Sequence, residues 1–190
     1  MGFNTPDNCD NVLENRRRFL KLFKINPTDT VSALQVHGSL INVADSGNCG
    51  EGSLPGNVKL KCDALVTTTP ALVLNAYSAD CLLIYFAVPG VPLVAIAHAG
   101  RQGTYENLAS KVVTFISKNF GISPAEILVS LSPLICKTCY TIDENRARAF
   151  LAAGWNDERY LKQVRQEKWE LDMQSINISQ LLQAGIERKN

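Results

Sequence analysis

The chain carries two histidines, His37 and His98, and six cysteines. Any imidazole chemistry therefore draws on one or both of two positions. Cys81 and His98 flank two apolar runs joined by Val88-Pro89-Gly90-Val91. If Pro89-Gly90 is the turn, the two side chains face each other across a hairpin, with Cβ atoms ~4.5–5.5 Å apart. A thiolate and an imidazole at that separation can share one zinc ion. Pro92 could lengthen the turn and shift the register, which moves the facing but keeps the proximity. His37, in Gln35-Val36-His37-Gly38, is expected at the end of another strand. Three protein ligands with a fourth position open is the count of a catalytic zinc site rather than a structural one. The same residues also read as a buried small thiol and two hydrogen-bonded core histidines, and spacing alone leaves both readings open.

Asp80 adjoins Cys81, and strand alternation points it the other way, so it is a candidate orienting carboxylate or proton carrier. After His98 comes Ala99-Gly100-Arg101-Gln102-Gly103-Thr104, then a helical pattern. Glycines before a helix N-terminus expose N–H groups to an anion and Arg101 adds charge, so Gly100, Arg101, Gly103 and Thr104 are candidate phosphate contacts. Cys136 and Cys139 make a Cys-x-x-Cys. A zinc knuckle needs a second pair, and Cys9, Cys49 and Cys62 are scattered, so this motif is expected to be neither a metal nor a redox site.

These residues must be positioned by a strand-rich centre. The block 62–100 holds Asp63 and Asp80 as its charged residues and no Lys or Arg, which marks it as core whose polar groups need partners. Within it, 71–76, 82–88 and 93–97 read as strands buried on both faces. Upstream, a helix capped by Asp10 carries Val12, Leu13, Phe19, Leu20 and Phe23 as one apolar stripe, with Arg16-Arg17-Arg18 on a solvated face, and Asn26-Pro27 ends it. Strands are expected over 31–37 and 40–44, then a Gly-rich loop over 46–57. Downstream, the spacing predicts a helix over 104–120 closed by Gly121, a buried strand over 127–131, and helices over 143–153 and 175–184 closed by Gly154 and Gly185. The charged stretch 155–170 reads as a solvated helix. The expectation is one α+β domain spanning residues 1–190.

With 19 Lys and Arg against 18 Asp and Glu, nothing points to nucleic acid. No apolar run reaches the ~20 residues of a bilayer span, and the N-terminus lacks a signal-peptide core. A cytoplasmic protein with reduced thiols is expected. No oligomeric state follows.

Taken in order, Asn15-Arg16, Gln35-Val36-His37-Gly38, Asp63-Ala64-Leu65-Val66-Thr67, Ala79-Asp80-Cys81-Leu82, Ala97-His98-Ala99-Gly100, Pro133, Ile135, Cys139-Tyr140 and Leu181-Leu182-Gln183-Ala184-Gly185-Ile186 resemble the laccase-domain, or polyphenol oxidase, family. The resemblance covers nearly the whole chain. It implies a four-layer α/β/β/α arrangement with mixed β-sheets, and His37, Cys81 and His98 as metal ligands. The metal implied is Zn2+, with Cu as the alternative. The implied activity is phosphorolysis of adenosine, inosine, guanosine and methylthioadenosine, and deamination of adenosine, so the partners are a small-molecule nucleoside and phosphate. Copper-dependent polyphenol oxidation, or metal binding without turnover, is the alternative; a metal-free hydrolase using Cys81 and His98 is a further rival. The chain departs from the family in places. His-Ala-Gly-Trp-Arg-Gly is His98-Ala99-Gly100-Arg101-Gln102-Gly103 here, which displaces the arginine by one position. Gly-Pro-x-Ile-Gly-Pro is Ser132-Pro133-Leu134-Ile135-Cys136-Lys137. The family's opening Gly-Phe-x-Thr-Arg and closing Cys-Thr and Ser-Tyr-Arg segments are expected to lie outside the chain, taking two anion-contacting arginines with them.

Overall fold

A computed structural model describes residues 2–3, 5–56 and 60–190; the last position of the expected Gly-rich loop, Asn57, falls outside them. The first helix, α1 (Cys9–Lys21), is capped by Asn8, whose side chain accepts from the Asp10 N–H, and not by Asp10. Its buried face is Val12, Arg16 and Leu20, spaced four apart, while Phe19 and Phe23 stay exposed. It stops well before Asn26-Pro27.

Seven strands build the centre: β1 (Thr30–Ser32), β2 (Ile41–Val43), β3 (Ala64–Thr67), β4 (Val73–Asn75), β5 (Leu82–Val88), β6 (Leu93–Ala99) and β7 (Leu128–Leu131). Five of them form one mixed sheet in the order β2-β3-β6-β5-β7, with β2 parallel to β3 and the other pairs antiparallel. The parallel pair β1–β4 forms a second sheet. The expected strand over 31–37 ends at Ser32; beyond it Leu34 makes a single bridge to Lys61, and His37 turns with φ +60°.

The β5–β6 hairpin pairs Val88 with Leu93 and Leu83 with His98. The expected opposition of Cys81 and His98 is thus two positions out. Pro92 explains the shift: it has no N–H to give a ladder, so the chain pairs again only at Leu93, after a loop closed by Val91 N–H to Val88 O (3.2 Å).

Alternation along these strands divides the core. Leu82, Ile84 and Phe86 with Ala95, Ala97 and Ala99 face Leu108, Val112 and Ile116, which lie on α3 (Leu108–Phe120). On the other face, Leu65 and Ile96 pack with Val31 and Leu72 around the β1–β4 pair. The one helix expected over 104–120 is two, α2 (Arg101–Tyr105) and α3, because Asn107 adopts a left-handed conformation at φ +67°, a break that the continuing apolar spacing does not reveal. β7 alternates exposed and half-buried as the sheet's edge strand, so the fully buried strand expected there is not found.

The remaining elements are β8 (Thr141–Asp143), α4 (Glu144–Ala152), β9 (Leu161–Arg165), β10 (Lys168–Leu171) and α5 (Met173–Gln183). The solvated helix expected over 155–170 is instead the β9–β10 hairpin, which β8 extends to three strands. In β10 Lys168 and Glu170 alternate with Trp169 and Leu171 at a period of two, while in β9 only Leu161 is buried; Leu161 and Leu171 pack on Phe150 and Ile176. Asp143 and Asp172 cap α4 and α5 through Arg146 N–H and Ser175 N–H. Leu181 and Ile186 join the core under α3. Across the β1–β4 pair, α1 is tied on through Arg16, which donates to the carbonyl of Gly52; the neighbouring Glu51 carbonyl accepts from Ser32 of β1. The fold is mixed α+β with mixed sheets, in the order α3/α5, five-stranded sheet, two-stranded sheet, α1. No helix among the described residues is long and apolar enough to cross a membrane.

Candidate functional site

His37, Cys81 and His98 arrive from three different segments: the loop after β1, the bend before β5, and the end of β6. Their candidate ligand atoms all lie within 4.8 Å of one another, and the two imidazoles meet edge to face at 4.8 Å and 87°.

Asp63, just ahead of β3, holds the arrangement together. Its Oδ1 accepts from the His37 N–H (2.9 Å) and stands 3.0 Å from His98 Nδ1, while Oδ2 accepts from the Gly38 N–H (2.7 Å). The main chains of Asp63 and His98 are also bonded, N–H of His98 to O of Asp63, at 2.7 Å. Burial pushes the Asp63 carboxyl up, but the hydrogen bonds from His98, Gly38 and His37 outweigh it and hold the group below the ordinary carboxylate range. An ionised carboxylate fixes the proton on Nδ1, which leaves Nε2 of the neutral His98 ring, its lone pair on the side of Cys81, as the atom that could ligate. Burial likewise pushes the His98 imidazole down, but Asp63 and then Cys81 outweigh it and raise it to about 9. The orienting role expected of Asp80 thus falls to Asp63, the other charge of the apolar block 62–100. That scarcity was the available signal. Asp80 itself is exposed, and its carbonyl accepts from Ile135 N–H.

The loop bearing His37 is clamped to the segment before Cys81 by Gln35, whose amide donates to Tyr77 O and accepts from Tyr77 N–H, both at 2.8 Å. A Cβ built on Gly100 would stand 3.1 Å from Cys81 Sγ, 3.4 Å from His37 Cδ2 and 3.7 Å from His98 Cε1, so glycine keeps the space between the three clear. Two imidazoles and a thiol around such a gap suit Zn2+ or Cu.

The expected phosphate cradle is redistributed. Thr104 is fully buried, and its hydroxyl accepts from Asn177 Nδ2 at 2.8 Å. Gly103 is a packing glycine, since a Cβ there would come 2.9 Å from Gly38 O. Neither faces an anion in solution. Arg101 is half-buried at the start of α2, beside the Tyr140 hydroxyl.

The three candidates open into a cavity of about 470 Å3 that also reaches Asp80, Tyr77, Phe3 and Arg16. An adjoining apolar cavity of about 540 Å3 shares Arg16 and Tyr77 but none of the three. Arg16, expected on a solvated face, is instead 3% exposed, donates to Gly52 O (2.7 Å) and Ser53 O (3.2 Å), and lies between the Phe3 and Tyr77 rings at 4.0 and 4.3 Å. Gly2, Phe3 and Thr5 line the same cavity. These belong to the stretch Gly2-Phe3-Asn4-Thr5-Pro6, which carries the Gly-Phe-x-Thr segment expected outside the chain, with proline in place of its arginine.

The family described as "Multi-copper polyphenol oxidoreductase laccase" matches residues 1–190. A purine nucleoside phosphorylase, YlmD, of Geobacillus stearothermophilus is 31% identical over 98% of this chain and 69% of its own length. An adenosine deaminase, RL5, from an unknown prokaryotic organism is 26% identical over 97% of this chain and 71% of its own. The crystal structure of YlmD from Geobacillus stearothermophilus superposes with a TM-score of 0.94 at 29% identity, covering 100% of this chain and 71% of that one.

Proposed function

The chain belongs to the multi-copper polyphenol oxidoreductase laccase family, and we propose that within it this protein is a metal-dependent purine nucleoside enzyme. The reading includes phosphorolysis of adenosine, inosine, guanosine and methylthioadenosine, and deamination of adenosine. The observation that carries it is the convergence of His37, Cys81 and His98 on a cavity of about 470 Å3, a volume in the range of small-molecule sites, in a chain whose relatives include a purine nucleoside phosphorylase and an adenosine deaminase. The copper-oxidase sense of the family's description meets a shortage of ligands. Two histidines in the whole chain cannot supply both a blue copper site and a trinuclear cluster.

His37, Cys81 and His98 would hold the ion, which supplies Lewis acidity toward the purine or an attacking water. The chain's own groups do the rest. Asp63 keeps the proton on His98 Nδ1 and so aims Nε2. Gly100 leaves the space open beside all three. Tyr77 and Phe3, with Arg16 between them, offer a flat wall with one cationic layer for a purine ring. Asp80, exposed on the cavity wall, is assigned the proton transfer. Gly100 and Arg101, directly after the His98 strand, are assigned phosphate.

The test is chromatography of purified zinc-loaded protein incubated with adenosine, with and without phosphate, beside a chelator-treated sample and Cys81→Ser. Phosphate-dependent adenine signals phosphorolysis and phosphate-independent inosine signals deamination; either is expected to vanish with chelator and with Cys81→Ser. Phenol oxidation by the copper-loaded protein without nucleoside conversion would overturn the proposal in favour of the oxidase. Metal binding with neither reaction would overturn it in favour of a binding module.

A further inference from the structure

Using none of the metal ligands and independently of the nucleoside reading, we propose that Cys136 and Cys139 form a dithiol couple that closes reversibly to a disulfide by exchange with low-molecular-weight disulfides. The sequence alone argues against such a site for want of a second cysteine pair, but a dithiol couple needs only one. Both thiols are exposed. The Cys139 N–H donates to the Cys136 carbonyl at 3.1 Å, closing a turn whose Lys137–Cys139 run is 3-10 helical. Such a turn brings its first and fourth Cα atoms within ~7 Å, and three-residue winding stacks side chains three positions apart. A disulfide spans Cα atoms ~4.4–6.8 Å apart, so the bond can form with little movement of the main chain.

The two thiols are unlike. Hydrogen bonds from Thr138, whose Oγ1 is 3.3 Å from Cys136 Sγ, and from Cys139 bring Cys136 down to about 7. The hydrogen bond with Cys136 and the charge there push Cys139 up. Cys136 is therefore the attacking thiol and Cys139 the resolving one. Cys62 shows the contrast: buried beneath the sheet, its thiol is pushed up to about 11 by that burial.

The turn is also fixed in place. Ile135 N–H donates to Asp80 O (3.0 Å) on one side, and Lys137 Nζ donates to Glu158 O (2.5 Å) and Arg159 O (3.0 Å) on the other. These bonds present the pair to solvent on a rigid support.

In the reaction, the Cys136 thiolate attacks one sulfur of the small disulfide, breaking its S–S bond and expelling one thiolate. Cys139 then loses its proton to solvent and attacks the Cys136 sulfur of the mixed disulfide, releasing the second thiolate. The two cysteines are oxidised by two electrons, the small disulfide is reduced to two thiols, and the cysteine protons end on them.

The test incubates the full zinc-loaded chain in reduced and oxidised glutathione at graded ratios, quenches with acid, alkylates, and maps the peptides by mass spectrometry. The peptide holding both cysteines should lose two hydrogens with a defined midpoint. Cys139→Ser should stop at a glutathione adduct on Cys136, and that adduct should form faster than the one on Cys139 in Cys136→Ser, where the thiol loses the neighbour that holds it up but gains no bond from Thr138 as strong as the one that lowers Cys136. In the reduced protein at pH 7, iodoacetamide should alkylate Cys136 at least about tenfold faster than Cys139, from the difference in thiolate fraction. The absence of an intramolecular bond at every ratio, or equal rates of adduct formation on the two single variants, would overturn the proposal. Circular dichroism of the variants excludes misfolding as the cause.

Discussion

Asp63→Asn keeps the shape of the side chain that holds the site and removes its charge. Oδ1 serves His37 N–H and His98 Nδ1, and Oδ2 serves Gly38 N–H. An amide must place its NH2 at one of these positions, where it faces a donor. The cheaper orientation sets it against Gly38, losing one charge-assisted bond and weakening the other two. At about 1.5–3 kcal/mol for a hydrogen bond to a charged group, the expected loss of folding stability is about 2–4 kcal/mol. Metal affinity should fall about 10–100-fold, the usual cost of removing a ligand's orienting partner. Proton competition gives a second readout. In the metal-free protein His98 titrates at about 9, raised by Asp63 and Cys81 against the burial that lowers it. Its folded value lies above the unfolded ~6.5, so the stability it contributes is full below ~6.5 and is lost as pH rises through about 9. The same proton opposes the metal, so the wild type should gain metal affinity from pH 6.5 to 9, and Asp63→Asn should shift that gain to lower pH. Competition against a chromogenic zinc chelator at pH 6.5, 7.5 and 9, beside urea unfolding of the metal-free protein, measures both effects. A variant that binds within threefold of wild type at each pH and unfolds at the same urea concentration would refute the role assigned to Asp63.

Gly100→Ala places a methyl 3.1 Å from Cys81 Sγ; zinc affinity should fall at least about tenfold, the scale of disturbing the surroundings of a ligand, with a far-UV circular dichroism spectrum like that of wild type. Arg16→Lys gives up the planar fork that donates to Gly52 and Ser53 and the stacking on Phe3 and Tyr77. Urea unfolding should show a loss of about 2–4 kcal/mol. Thr104→Val removes the hydroxyl that accepts from Asn177 and should cost about 1–2 kcal/mol while leaving phosphate KM in the nucleoside assay unchanged. A raised phosphate KM would return Thr104 to the anion site.

Much of the centre was legible because its signals are local. The apolar runs at 82–88 and 93–97 and the glycines that close helices at 154 and 185 match β5, most of β6 and the ends of α4 and α5. Scarcity singled out His37 and His98, and the hairpin added Cys81 although its register is two positions out; the fold brings those three together. What was hidden depends on long-range geometry. His37 sits on left-handed backbone, where its strand-like neighbours predict extension. Arg16 is drawn into the interior by two carbonyls and two rings, while Arg17 and Arg18 beside it stay exposed; nothing in the triplet tells them apart. Thr104 is a plausible anion ligand by its place after two glycines, and only the packing of α5 reveals that its hydroxyl is already engaged. In the charged stretch 155–170 the period of two is confined to the four residues of β10, too short a run to stand out against a helical spacing.

The three converging side chains are widely separated in sequence, and the order of the strands carries a kinetic implication. β6 lies between β3 and β5, so the position of His98 relative to Asp63 is set only after the last long strand of the centre has docked between earlier ones. Pairings of such high contact order form late. A nascent chain emerging from the ribosome would thus expose His37, Asp63 and Cys81 before any ion could be captured by the full set. Loading should accordingly follow folding rather than guide it: refolding rates measured with and without zinc should coincide, while the unfolding rate of the loaded protein should be the slower.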